Sequence, residues 1–477
     1  MSTHLLPPHS VLGLAALFAW FAPVAAPAAE TPRAQPNIVL ITADDLGYGA
    51  LGCYGGKEIS TPHLDSLARD GIRCASGYVT APICGPSRVG LLTGRYQQRF
   101  GYFLNPDVTA GKGRGSTFPG AHPLLPQALK NAGYATGHVG KWNVTDDPRP
   151  YFDEAHAVMD WKGAYFPEAD GRYLGVDGPG FRATRAGWGP PSPGGEYLTD
   201  KLTRHAVDFI DRHARKPFFL YLGYNAPHTP LEAERRFEAA LAGIADPDRK
   251  LYAAMVAALD ENIGRLLAKL DQAGLRENTL VIFVSDNGPE TRGEGTLGSP
   301  GPLRGHKYVL HEGGIRVPFL FRWPARLRGG QIASHPVSTL DLFPTLQAAA
   351  GAPPPPGPSP FDGTNLLPYL ADTATPPPAR QLFWSTGRSD RADAGGTSDA
   401  RNLPMSAIRE GDWKLVESQG AAQLFNLRDD LGERRDVAAA QPETAARLRA
   451  ALGKWSAALP APVSQAPRPT TPKKKAR

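Results

Sequence analysis

The stretch Asn37–Asp45 reads NIVLITADD, an apolar run that stops on two carboxylates. A short uncharged run rich in Ile, Val and Leu reads as a strand buried on both faces, as in a parallel sheet covered by helices. Thr279–Ser285 (TLVIFVS) repeats the pattern and stops on Asp286-Asn287-Gly288. Phe218–Tyr224 (FFLYLGY) runs on to His228, and Tyr134–Gly140 runs into Lys141. Val317–Phe321 (VPFLF) reads as a further buried parallel strand. Helical patterns alternate with these runs over Thr61–Asp70, Pro123–Asn131, Tyr197–His213, Asp248–Gln272 and Leu340–Ala350. The alternation predicts an α/β fold, a large mostly parallel sheet with helices on both faces.

The proline-rich stretches Gly351–Pro360 and Pro376–Pro378 mark a boundary. Beyond it, Gln381–Ser385, Ser406–Arg409, Trp413–Ser418 and Ala422–Asn426 alternate polar and apolar residues, as in a small antiparallel sheet, and a helix near Pro442–Leu459 closes it. The expected organisation is residues 30–372 as the main α/β domain, 379–459 as an α+β subdomain, and 460–477 as a disordered basic tail. That tail holds Arg468, Lys473, Lys474, Lys475 and Arg477, five of the six net positive charges of the 477-residue chain. The remainder is close to neutral, which argues against a nucleic-acid-binding surface. Hydrophobic residues at 41% and charged residues at 21% exclude a disordered chain, a coiled coil and a polytopic membrane protein.

Val11–Ala22 (VLGLAALFAWFA) followed by small residues reads as an export signal over residues 1–28, so the mature protein is expected in the periplasm or secreted, with no stable membrane insertion. Three cysteines, Cys53, Cys74 and Cys84, are too few for a disulfide scaffold. A Cys53–Cys74 bridge is open on this count, and Cys84 is the residue to explain.

Position is the informative feature of the polar residues. In an open parallel sheet, ligands bind beyond the carboxyl ends of the strands. Four runs deliver Asp44-Asp45, Asp286-Asn287, His228 and Lys141 to that edge. Asp44, Asp45, Asp286 and Asn287 make an all-oxygen donor set, which suits Ca²⁺ or Mg²⁺ better than Zn²⁺. Each pair alone reads equally as a helix cap or a turn; both ending apolar strands favours a metal. Cys84-Gly85-Pro86-Ser87-Arg88 opens a helical stretch with Pro86 at the first helical position, which puts Cys84 at a helix N-terminus and Arg88 one turn on. A Cys-x-Pro-Ser-Arg match arises by chance in about one chain in a thousand of this length, from average residue usage.

These residues resemble the type I sulfatase family of the alkaline-phosphatase-like superfamily, over nearly the whole mature chain. The resemblance rests on Asn37–Gly49, Thr61–Asp65, Cys84–Arg88 with Leu92–Arg95, Gly140-Lys141-Trp142, Ala226-Pro227-His228, Ser285–Gly288, Pro302–Lys307, Glu312–Pro318, Asp341–Thr345 and the later Arg409–Leu415. It implies that Cys84 is oxidised to formylglycine by a formylglycine-generating or other sulfatase-maturing enzyme. It implies that the hydrated aldehyde attacks the sulfur of a sulfate ester, and that sulfate leaves as the aldehyde re-forms. By the same resemblance Asp44, Asp45, Asp286 and Asn287, with residue 84, bind one Ca²⁺. Arg88 holds the hydrated aldehyde, Lys141 and Lys307 grip the sulfate oxygens, and His228 protonates the leaving oxygen.

The sequence departs from the family pattern at three places. Asn143 stands where the family has a histidine after Gly-Lys-Trp, His306 where glycine is common, and His311 where tryptophan is usual. An amide cannot accept a proton at neutral pH, so slow sulfate release, or replacement of that base by His306, is expected. Two other readings stand beside a sulfatase acting on sulfated carbohydrates or aryl sulfates: a phosphoryl or phosphonate ester hydrolase of the same superfamily, and a catalytically impaired sulfoglycan-binding homologue. Substrate contacts are expected from the variable stretch Gly163–Glu196, and Trp161, Tyr165, Tyr173 and Trp188 are its aromatic residues and neighbours.

Overall fold

Strand β1 (Asn37–Ala43) lies near the middle of one eight-stranded sheet, with every residue buried. The computed structural model describes Met1 and residues 35–103, 105, 123–160, 163–178, 187–189, 195–292, 295–353, 361–387 and 404–460. The expected signal segment after Met1, the tail from residue 461, and Trp161 lie outside the described residues. The other strands are β2 (Ile72–Cys74), β3 (Ala135–Lys141), β4 (Glu154–Met159), β5 (Phe218–Gly223), β6 (Thr279–Ser285), β7 (Phe319–Arg322) and β8 (Gln331–Ala333). Their order is β8-β2-β7-β6-β1-β5-β3-β4.

The five strands β6-β1-β5-β3-β4 are parallel throughout. Strand β7 is antiparallel to both of its neighbours, β6 and β2. The run at Val317–Phe321 is therefore buried as expected but not parallel. Its direction follows from the connection: among the described residues between β6 and β7 the one helix is the four-residue turn Glu312–Ile315, too short to act as a crossover that would return the chain to the starting end. Burial on both faces leaves the same apolar pattern in either direction.

Alternate residues of β1 enter different cores, as the two-residue period of a strand requires. Ile38 and Leu40 pack with helices α2 (Cys84–Thr93), α3 (Leu125–Asn131) and α6 (Leu342–Ala349) on one face. Val39 and Ile41 pack with α1 (Pro62–Arg69), α4 (Leu198–His213) and α5 (Pro247–Gln272) on the other. Both faces being dry explains why β1 and β6 contain no charged residue. Cys53 and Cys74 are free thiols, so the bridge left open by the count does not form.

Strands β9 (Gln381–Ser385), β10 (Met405–Glu410), β11 (Trp413–Ser418) and β12 (Ala421–Asn426) form the small antiparallel sheet in sequence order. Helix α7 (Pro442–Ala457) covers it with Leu448 and Leu452 against Ile408, Leu415 and Leu424. The sheet is joined to the main fold by buried charge. Lys414 of β11 donates to Glu312 Oε1 at 2.9 Å and lies 2.9 Å from Glu433 Oε1, with all three side chains fully buried. Glu312 Oε2 also accepts from Tyr78 at 2.6 Å and from Arg316 at 3.2 Å, and Glu433 accepts the backbone N–H of Glu312 at 2.6 Å. Burial opposes ionisation of Glu312, yet Lys414, Arg316 and Arg409 outweigh it and hold its carboxyl down at about 2.

Lys414→Met keeps the length of the side chain, takes from the buried Glu433 carboxylate its lysine partner and leaves Glu312 with Arg316. Removing one partner of a buried pair costs roughly 3–5 kcal/mol. Urea unfolding of the variant is expected to show a loss of that size, and a loss below about 1 kcal/mol would show that the joint carries no net stability.

Candidate active site

The neighbouring strands β6, β1, β5 and β3 span three strand spacings, about 14 Å, so side chains from all four carboxyl ends reach a common point. Asp44-Asp45 follow β1, Asp286-Asn287 follow β6, Lys141 is the last residue of β3, and His228 lies in the turn after β5. The strand ends are tied together by backbone bonds from Asp44 N to Ala226 O and from Asp286 N to Ala43 O. Helix α2 supplies the remaining groups. It begins at Cys84, two residues earlier than the proline suggests, so Pro86 is its third residue. Proline is tolerated there because N–H groups in the first turn have no intrahelical partner.

Arg88, fully buried, binds all four strands. Its Nε donates to Asp286 Oδ2 at 2.8 Å after β6, with NH2 equally close to that oxygen but out of alignment. Its NH1 reaches Thr42 Oγ1 (3.2 Å, β1), Tyr221 Oη (3.2 Å, β5) and Lys141 O (3.0 Å, β3). Two glycines make room. A Cβ on Gly140, at φ +94°, would lie 2.2 Å from Gly223 O, and a Cβ on Gly223 would lie 2.3 Å from Lys141 O and 3.2 Å from Arg88 NH1.

Adjacent residues in an extended chain point to opposite faces. Asp45 escapes this by adopting φ +64°, a left-handed conformation that aspartate tolerates better than most residues. Asp44 accepts from Lys141 Nζ, and Asp45 accepts from Lys307 Nζ at 2.8 Å and from Asn287 Nδ2 at 2.7 Å. Burial raises the Asp45 carboxyl, but Lys307, His228 and Lys141 prevail and bring it to about 2. Burial and the Asp44 charge push Asp286 up to about 6, against the pull of Arg88. Burial opposes the ammonium charges of Lys141 and Lys307, and their carboxylate partners outweigh it, so both titrate above the ordinary lysine range.

Cys84 is wholly buried, with Sγ 3.4 Å from Asp44 Oδ1. Burial and the Asp44 carboxylate push its thiol far above the usual range, so it is neutral and a poor nucleophile. Asp44, Asp45, Cys84 and His228 each offer a ligand atom within 4.8 Å of the others. Asp286 and Asn287 join them through Asp45. Asn287 uses its Nδ2 on Asp45 and Gly288, which leaves its buried Oδ1 without a hydrogen-bond partner. Three carboxylates and an orphaned amide oxygen fit a hard divalent cation, and a site for one is compatible with these side chains.

His228 Nδ1 lies 2.6 Å from Thr229 O. A carbonyl only accepts, so Nδ1 carries the hydrogen and Nε2, 3.7 Å from Asp45 Oδ2, presents a lone pair. Burial drives the imidazole down to about 3; Lys307 and Lys141 add to the fall while Asp45 resists it. In the ligand-free protein His228 is thus a neutral base at Nε2, whereas the sequence resemblance gives it the part of an acid.

The three departures separate in space. Asn143 sits at φ +56° with its backbone oxygen beside Gly85, and both side-chain amide atoms are buried without partners. His306 donates from Nδ1 to Lys307 O at 2.6 Å. The His311 ring lies 6.4 Å from that of Phe425, centre to centre, at the C-terminal sheet. Of the aromatic residues, Tyr165 is buried and its hydroxyl holds Asn225 O and His228 O at 2.7 and 2.9 Å, Tyr173 is buried, and Trp188 is half-buried. Sequence reasoning missed Thr42, Tyr221, Glu290, Tyr308 and Asn105, whose Oδ1 accepts from Gly85 N at 2.9 Å. Thr42 and Tyr221 lie inside the apolar runs quoted above, where nothing marks their hydroxyls, Glu290 and Tyr308 lie just past the quoted motifs, and Asn105 lies in none.

The sulfatase family profile matches residues 36–352. The steryl-sulfatase of Mus musculus is 32% identical over 93% of this chain and 85% of its own length. Arylsulfatase A of Homo sapiens is 35% identical over 83% of this chain and 77% of its own length. Among solved structures, Ps i-CgsB in complex with k-i-k-neocarrahexaose superposes with a TM-score of 0.76 at 33% identity, covering 90% of this chain and 94% of that one. The chain belongs to the sulfatase family, within the alkaline-phosphatase-like superfamily, and is a sulfuric ester hydrolase.

Arg88→Lys retains one positive charge but cannot reach four strands at once. The rate of aryl sulfate hydrolysis, as kcat/KM, is expected to fall by roughly 100-fold or more with unchanged far-UV circular dichroism, and retention of more than about a tenth of the activity would contradict the bridging role.

Proposed function

We propose that this sulfatase acts on sulfated carbohydrates outside the cytoplasm, with Cys84 converted to formylglycine and one Ca²⁺ held by Asp44, Asp45, Asp286 and Asn287. The observation that carries the reading is the setting of Cys84: a fully buried, protonated thiol at a helix start, 3.4 Å from an aspartate of an oxygen-rich set. A sulfur in that state is a poor nucleophile and a poor ligand for a hard cation, whereas oxygen at the same carbon suits both tasks. When bound, the cation offsets sulfate charge and favours the ionised form of an oxygen nucleophile. Arg88 orients the group at position 84. With Asp44 and Asp45 engaged in holding a cation, Lys141 and Lys307 would be free to bind the sulfate oxygens. The arriving anion offsets the lysine charges that add to burial in keeping His228 neutral, which favours a proton on Nε2 and its transfer to the leaving oxygen. The carbohydrate reading draws support from the oligosaccharide in the Ps i-CgsB complex, and the export signal at residues 1–28 from the sequence.

Mass spectrometry of the Cys84 peptide from the native host is expected to show an aldehyde that reacts with hydrazides; a retained thiol in active protein would sink the formylglycine reading. A panel of defined sulfated sugars, aryl sulfates and steryl sulfates, read by free sulfate, tests the substrate class, and turnover confined to the last two would overturn it.

Calcium affinity is expected to depend on pH through Asp286. Its carboxyl in the metal-free protein is raised to about 6, so the cation displaces a proton below that pH and none above it. Calorimetry should show affinity falling by up to about tenfold per pH unit below 6 and level above it. A flat profile from pH 5 to 7 would remove Asp286 from the ligand set. Asn143→His tests the missing base: a faster steady state with an unchanged burst is expected, and an unchanged steady state would show that the amide does not slow sulfate release.

A further inference from the structure

Lys307 has a second carboxylate. Its Nζ lies 3.2 Å from Glu290 Oε2, besides 2.8 Å from Asp45 Oδ2. Glu290 is fixed from two more directions: Tyr308 donates its hydroxyl to the same Oε2 at 3.2 Å, and Thr291 N donates to Oε1 at 3.0 Å. Tyr308 holds φ +78°, a conformation rare for an aromatic residue and sustained only where the surroundings enforce it. The Glu290 side chain keeps 15% of its surface exposed while Lys307 keeps 3%, so Glu290 stands on the solvent side of the lysine.

The charges at this edge can be counted among the described residues. Asp44, Asp45 and Asp286 match Arg88, Lys141 and Lys307 in number. A divalent cation added to that balanced set leaves two positive charges, which would favour a doubly charged ester. Glu290 removes one of them. A sulfate monoester carries one negative charge, whereas a phosphate monoester of the same shape carries nearly two at neutral pH.

We infer that Glu290 sets the pocket's charge for a singly charged ester and so discriminates sulfate esters against phosphate esters. The inference rests on the divalent-cation reading above and names a specificity determinant for it. Selectivity between isosteric anions cannot come from shape, so it has to come from charge, and an added like charge is the direct means of rejecting the dianion.

The test uses Glu290→Gln, Glu290→Asp and Tyr308→Phe in the full chain. The ratio of kcat/KM for an aryl phosphate to that for the matching aryl sulfate is expected to rise by about tenfold in Glu290→Gln, since a unit charge even about 10 Å away has an effect of that order at an effective dielectric near 20. Glu290→Asp, which keeps the charge, and Tyr308→Phe, which removes only its hydrogen bond, should leave the ratio near that of the unaltered protein. Calorimetric binding of inorganic sulfate, a dianion, against methanesulfonate, a monoanion, gives a readout independent of turnover and should shift the same way. An unchanged ratio in Glu290→Gln, or an equal shift in Tyr308→Phe, overturns the inference. Absence of sulfate release by the unaltered protein would instead count against the reading of the site, and the anion-binding comparison would still decide the role of Glu290.

Discussion

One guanidinium holds this site together. Arg88 is sealed from solvent and meets the ends of four strands, so its position fixes where Asp286, Thr42, Tyr221 and the Lys141 backbone lie relative to each other. A buried cation without partners is strongly unfavourable, and this one has partners only if the strands end in register. The glycines at 140 and 223 are the other half of the constraint, because any side chain there would collide with backbone and one of them would crowd the guanidinium. The same helix that carries Arg88 begins at Cys84, so fixing the arginine also fixes position 84 one turn earlier.

Around that anchor the protein balances charge without water. Lysines 141 and 307 rest on Asp44 and Asp45, and Asp286 rests on Arg88. The arrangement is poised rather than inert. Each lysine occupies a carboxylate that is also a candidate ligand.

Much of this was legible in the chain. Runs such as NIVLIT and TLVIFVS are unambiguous because both their faces are dry, and the polar residues that follow them stand out by contrast. Strand direction was not legible at Val317–Phe321, since apolar patterning carries no sense of direction and the missing crossover helix had to be seen. Side-chain aim was the second blind spot. His306 and His311 flank the same loop and looked alike, yet one caps the Lys307 carbonyl and the other turns to Phe425. Glu290 and Tyr308 escaped notice because their meaning arises only where three segments meet in space. The neutral state of His228 was equally hidden, since it depends first on burial in the folded protein and then on two lysines far away in sequence.

The buried contact between Glu312 and Lys414 spans 102 positions of chain. It follows that the molecule cannot be divided at its proline-rich boundary, although every group at the strand ends lies before it. A fragment stopping there would keep the acid of Glu312 with Arg316 but forfeit the lysine that also answers it, just where the loop carrying Lys307 turns back toward the sheet. The last quarter of the polypeptide is therefore a keystone for the first three, and genetic shortening from that end should be felt in chemistry performed well away from the missing piece.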